Sequence, residues 1–63
     1  MLYYHRNQIQ ILEYKQLVEV HTHKIQIQCQ NEQLLIQGKD LAVALLNENE
    51  IIIKGEIYVI QWV

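Results

Sequence analysis

The chain has 63 residues, a formal net charge of −2 at pH 7 and one cysteine, and 51% of its residues are hydrophobic. This length allows one domain at most, and a lone cysteine excludes an internal disulfide. The acidic balance provides no electrostatic attraction to nucleic acid or to anionic lipid.

Apolar and polar residues alternate along most of the chain, as in strands with one buried and one wet face. After an N-terminal arm at residues 1–7, the alternation predicts seven short strands, at residues 8–13, 16–21, 24–30, 33–37, 40–46, 50–54 and 56–62. Polar segments between them are predicted turns, at residues 21–24, 30–32, 38–40 and 47–49. Gly38 can take the positive φ of a tight turn, and Gly55 is predicted either to do the same or to mark a bulge. We therefore expect one all-β domain over residues 8–63, built as an antiparallel meander, sandwich or barrel-like roll.

The segment from Asp40 to Asn47 has two interpretations. Its Leu and Ala residues favour a helix that Asp40 could cap, but fewer than two turns would follow the cap. We favour a strand, because strong strand patterns lie on both sides. This strand would have two apolar faces, and Ile52 gives the next strand a second apolar face too. Such strands are covered on both sides, by a second sheet or by another chain.

The small core and these second apolar faces predict association with another chain. The candidate interface residues are Ala42, Ala44, Leu46, Ile52 and Trp62. The last strand, Ile57 to Val63, is also predicted to be an edge suited to strand addition. We expect a homo-oligomer or a complex with a protein partner.

Residues with catalytic or metal-binding chemistry are few and scattered. His21 and His23 form a His-x-His pair, but a zinc site takes three or four ligands, and the sequence places neither His5 nor Cys29 beside them. There is no serine nucleophile, and Cys29 at an alternating apolar position is expected to be a small buried side chain. We expect no catalytic residue, no metal site and no cofactor.

In order and spacing these segments resemble the YabP/YqfC family of endospore-formation proteins, over about Gln8 to Val63. Two alternating strands ended by glycine, the first followed by Asp-Leu, are the strongest part of the resemblance. The residues that carry it are Glu13-Tyr14-Lys15, Leu17-Val18-Glu19-Val20, Lys24-Ile25-x-Ile27, Leu34-x-Ile36-x-Gly38-x-Asp40-Leu41, Glu50-Ile51-x-Ile53-x-Gly55-x-Ile57 and Ile60-Gln61-Trp62.

The resemblance implies a sporulation-associated scaffold or adaptor that is not an enzyme. It implies a companion membrane protein as partner and a place in the cytoplasm, on the mother-cell side of the forespore membrane. No segment approaches the roughly 20 apolar residues of a membrane-spanning helix and the N-terminus does not resemble a signal peptide, so membrane association is expected to be peripheral. The alternative is a small β-barrel module that binds nucleic acid or a small ligand, which a basic groove would favour. The five Lys and Arg residues are instead scattered singly.

Overall fold

The computed structural model describes all 63 residues and contains six strands of one antiparallel sheet. The strands are β1 (Leu2–Tyr4), β2 (Gln8–Leu12), β3 (Gln16–Val20), β4 (Lys24–Gln28), β5 (Gln33–Leu46) and β6 (Glu50–Trp62). Their order in the sheet is β1-β2-β6-β5-β4-β3. The predicted all-β class is confirmed, and residues 40–46 form strand, as favoured, rather than helix.

The predicted strands 33–37 and 40–46 form the single strand β5, so the turn predicted at residues 38–40 is wrong. The predicted strands 50–54 and 56–62 likewise form the single strand β6. With β1 added from the predicted arm, six strands replace the predicted seven. Positive φ occurs at Asp40 (54°) and at Gly55 (141°) and not at Gly38, which corrects the role predicted for Gly38. A Cβ on Gly38 would lie 2.0 Å from the carbonyl oxygen of Glu56. Glycine is therefore required at residue 38 because β5 and β6 approach closely where both strands bend. Residues 2–4 of the predicted arm form β1 and pair with β2.

The bends in β5 and β6 divide the sheet into two layers. The first layer contains β1, β2, residues 50–54 of β6 and residues 42–46 of β5. The second contains β3, β4, residues 33–37 of β5 and residues 57–62 of β6. Residues from both layers belong to one buried cluster, so the sheet folds over onto itself and encloses the core. The core residues are Ile9, Ile11, Ile25, Ile27, Leu34, Ile36, Leu41, Ile51 and Ile53.

The two layers are built alike. In the first layer, β2 contributes two buried isoleucines and pairs with the half of β6 that ends at Gly55. In the second, β4 contributes two buried isoleucines and pairs with the half of β5 that ends at Gly38. The N–H of Gly38 donates to the carbonyl oxygen of His23 at 3.1 Å, and the N–H of Gly55 donates to that of Asn7 at 3.0 Å. Each glycine is thus tied to the turn of the hairpin in its own layer, β3–β4 or β1–β2. The layers are related by an approximate internal two-fold symmetry.

Candidate protein-interaction surface

The second half of β6 is an open edge of the sheet. Strand β2 pairs only with residues 50–54 of β6, and beyond Gly55 strand β6 pairs with β5 alone. We call the segment from Ile57 to Val63 the terminal edge. It contains no charged residue and no proline.

Backbone hydrogen bonds show which groups of the terminal edge are unpaired. Gln33 and Val63 exchange both backbone bonds, at 3.2 and 2.8 Å. Hydrogen-bonded and non-hydrogen-bonded pairs alternate along antiparallel strands. The pair next to it, Leu34 with Trp62, is therefore not hydrogen-bonded, and the same holds for Ile36 with Ile60. The N–H and C=O groups of Ile60 and Trp62 consequently point away from β5, toward the open side.

The apolar side chains at the terminal edge belong to the inner face of the sheet. Trp62 lies opposite the buried Leu34, and Ile60 lies opposite the buried Ile36, and directly paired residues share a face. Trp62 is nevertheless 47% exposed and Ile60 37%, because no strand follows β6 on this side. The terminal edge thus combines unpaired backbone groups with uncovered core-facing side chains.

A second open edge, the internal edge, is formed by residues 42–46 of β5. Strand β4 pairs only with residues 33–37, so the internal edge contacts β6 alone. The pairing register shifts between Val43 and Leu45, which places Leu45 opposite Ile52 and Leu46 opposite the buried Ile51. Val43 and Leu46 thus face inward and Leu45 outward, so the predicted strict alternation of faces fails here because a bulge adds a residue. Leu46 is 53% exposed.

The predicted interface residues lie in two separate places. Ala42, Ala44 and Leu46 are exposed on the internal edge, and Ile52 is half-buried on the outer face of the same layer. Trp62 lies on the terminal edge, in the other layer. Exposed hydrophobic residues of the terminal edge that the prediction did not single out are Tyr58, Val59, Ile60 and Val63. The absence of charged residues from the segment in which they lie is the sequence signal that could have identified them.

The histidine pair lies in the exposed β3–β4 turn. The rings of His21 and His23 stack with centroids 5.5 Å apart. His21 Nε2 lies 2.8 Å from Glu19 Oε2, and Lys24 Nζ lies 3.4 Å from Glu19 Oε1. The hydrogen bond with His21, and then the positive charge of Lys24, hold the pKa of the Glu19 carboxyl below its ordinary value. No group of three His, Cys, Asp or Glu side chains is arranged to hold a metal.

Glu19 is expected to titrate below an ordinary glutamate, and His21→Ala is expected to raise its titration midpoint because the strongest stabilising contact of the carboxylate is lost. A folded-state pKa below the unfolded value stabilises the protein above the unfolded pKa, and that contribution disappears as the pH falls through the folded pKa. NMR titration of the Glu19 carboxyl carbon measures the midpoint. His23→Ala is the control, since His23 has no hydrogen bond to Glu19. An unchanged midpoint in His21→Ala would show that His21 does not act on Glu19.

Cys29 packs against the core and is half-buried rather than fully buried. Burial raises the pKa of its thiol, which disfavours the reactive thiolate. A cavity of about 220 Å³ lies beside it, bounded by Met1, Glu13, Trp62 and polar residues of the β4–β5 turn. Pockets for small ligands usually have roughly 300–1,000 Å³. The cavity is therefore small for a ligand site.

Comparison with protein families gives a match to the YabP family over residues 3–63. The match includes all of β1 except Leu2, both glycine-ended strands and the terminal edge, so the resemblance expected from the sequence is confirmed. Comparison with curated proteins and comparison with solved structures each gave no match. The fold has no helix long and apolar enough to cross a bilayer.

Proposed function

Since this chain belongs to the YabP family, which indicates a sporulation-related protein, we propose that it is a scaffold or adaptor that binds other proteins through its open strand edges during endospore formation. In this proposal the chain has no catalytic activity. It acts in the cytoplasm on the mother-cell side of the forespore membrane and docks a companion membrane protein there.

The observation that carries the proposal is the terminal edge. A regular, exposed, apolar edge strand is a template for pairing with another chain, and proteins that stay monomeric usually protect such edges with charges, proline or bulges. From Val59 to Val63 the terminal edge has none of these devices. An added strand would gain backbone hydrogen bonds at Ile60 and Trp62 and would cover their side chains.

The remaining chemistry of the chain supports a binding role over catalysis. Burial raises the pKa of the Cys29 thiol, and the only pocket is smaller than usual ligand sites. His21 and His23 lie in an exposed turn with no third ligand nearby. Hydrophobic burial at an edge, at roughly 25 cal/mol per Å², would add significantly to the net stability of about 3–5 kcal/mol that one small core supplies.

Trp62→Glu and Leu46→Glu are expected to reduce the yield of heat-resistant spores while changing the thermal stability of the domain only slightly. The side chains of Trp62 and Leu46 are about half exposed, so the glutamate carboxylate that replaces either one stays in water in the free domain. When a partner strand covers the edge, the carboxylate is buried without a counter-charge, which is costly. Surface changes usually alter stability by less than about 0.5 kcal/mol, so we expect the Tm to fall by less than about 4 °C. Spore counts in the endospore-forming host and thermal melts of the purified variants measure the two effects.

Gln37→Glu is the matched control, because Gln37 is exposed on β5 but does not belong to either edge. It is expected to leave both spore yield and Tm unchanged. If the two edge variants lose folding and spore formation in parallel, the side chains are ordinary core and the proposal fails. If they sporulate normally, the edges do not serve this process.

A further inference from the structure

We propose that the terminal edge pairs with the terminal edge of a second copy of the chain, antiparallel about a two-fold axis at Gln61. The second layers of two chains then form one continuous sheet. This inference rests on the proposed function, because it names a second copy of the chain as an occupant of an edge assigned there to protein binding.

The backbone geometry selects the centre of the pairing. In an antiparallel pair centred on Gln61, Ile60 of each chain lies opposite Trp62 of the other. Both residues have outward-pointing N–H and C=O groups, so each of these pairs exchanges both of its hydrogen bonds. A centre at Ile60 would instead require Tyr58, which lies where the β5–β6 register shifts, to pair with Trp62. The shift disturbs the regular spacing that such a pair needs.

The side chains of the terminal edge are self-complementary in this register. The uncharged sequence brings no like charges together when the strand meets a copy of itself. Gln61 faces its own copy on the outer face, and a carboxamide both donates and accepts hydrogen bonds. On the inner face Trp62 of one chain lies beside Ile60 of the other, and pairs of aromatic and β-branched residues are favourable across strands.

The other free edges of the sheet are less suited to self-pairing. Strand β1 has only three residues. Strand β3 carries Glu19 and has a register shift between Leu17 and Glu19. The internal edge has a shift between Val43 and Leu45. Short length, charge and bulges are the usual protections of an edge, and among the four edges only the terminal edge has a regular segment without them.

The expected dimer is weak. An interface of standard size buries about 800 Å² on each partner, more than one seven-residue edge can supply. We therefore expect a Kd of roughly 10–100 μM rather than a nanomolar value.

A charge-swap experiment tests the two-fold axis. Gln61→Glu and Gln61→Lys each place like charges directly opposite each other, and each is expected to raise the Kd about fivefold. An equimolar mixture of the two variants places opposite charges together and is expected to form a heterodimer at least as tight as the wild-type dimer. Sedimentation equilibrium across concentrations from about 5 μM to about 1 mM, which brackets the expected Kd, measures all four samples.

Leu45→Glu and Leu45→Lys provide the matched control. Leu45 lies opposite Ile52 in the first layer, as Gln61 lies opposite Leu35 in the second. If the dimer forms at the terminal edge, each Leu45 variant dimerises with the wild-type Kd, and mixing the two variants does not lower the Kd.

The proposal is overturned if the wild-type chain stays monomeric at about 1 mM, well above the expected Kd. It is also overturned if the single Gln61 variants dimerise as tightly as the wild type, or if their mixture shows no recovery. If the wild-type chain is monomeric but Trp62→Glu still lowers the spore yield, the terminal edge does not bind a second copy of the chain, and the proposed function is retained. Normal spore formation by both Trp62→Glu and Leu46→Glu would remove the proposed function even with the dimer present.

Discussion

Replacing Gly38 with alanine is expected to remove a large part of the domain's free energy of unfolding. A Cβ at this position would lie 2.0 Å from the carbonyl oxygen of Glu56 and 3.1 Å from Leu41 Cδ2. The first contact is with backbone, so β5 and β6 would have to move apart at the point where both strands pass from one layer to the other. Overpacking in a well-packed interior costs about 1–3 kcal/mol or more, and a core of this size supplies only about 3–5 kcal/mol.

Urea unfolding followed by circular dichroism, at one fixed protein concentration, measures the loss. Gly55→Ala is expected to change stability in the same direction, because its Cβ would lie 2.7 Å from the carbonyl oxygen of Asp40 and its φ of 141° disfavours side chains. The exposed neighbour Gln37→Ala serves as the control and is expected to shift the midpoint little. A Gly38→Ala protein with wild-type stability would mean that β5 and β6 do not approach as described.

Ile27→Ala and Ile11→Ala are expected to destabilise the domain by similar, large amounts. Ile27 lies between Leu17 and Leu34 in the second layer, and Ile11 lies between Leu2 and Ile51 in the first. Both are fully buried, so truncation to alanine leaves a cavity and costs about 2–5 kcal/mol. That loss consumes most of the net stability, and both variants should be largely unfolded in dilute buffer.

The loss is measured from the urea midpoint of each variant at a fixed protein concentration. Ile27→Val and Ile11→Val are milder changes at the same positions and are expected to cost about 0.5–1.5 kcal/mol each. Val18→Ala is the control, because Val18 is exposed at the register shift of β3. A large loss for one position and a small loss for the other would show that the two layers do not share the core equally.

The buried face of the sheet could be predicted from the sequence because strand alternation is local. Ile25 and Ile27, and likewise Ile51 and Ile53, alternate with polar or half-buried neighbours and are buried as the period-two pattern requires. Gly38 and Asp40 misled the prediction because glycine and aspartate are also typical turn residues. Whether such a segment reverses the chain or only bends it depends on contacts with β6, which lie far along the sequence.

The candidate surface could be predicted only in part. The last strand, from Ile57 to Val63, was predicted to be an edge, and the structure leaves it unpaired on one side. The two apolar faces of the segment from Ala42 to Leu46 predicted cover by a second sheet or by another chain, but not that the segment is an open edge, which it is because β4 pairs only with residues 33–37. Strand order is set by long-range pairing, so the local pattern of residues 42–46 did not show that this segment lies at an edge.

The pairing of β2 with β6 also sets the order in which the chain can fold during synthesis. The hairpin of β3 and β4 and the first half of β5 pair locally, so most of the second layer can form early. Ile9 pairs with Ile53 and Ile11 with Ile51, so both must wait until β6 has left the ribosome. Long-range contacts of this kind slow folding and leave apolar strands exposed to aggregation in the meantime. Release of β6 is thus the step that closes the core, and a nascent chain stalled within β6 would present β2 to other proteins.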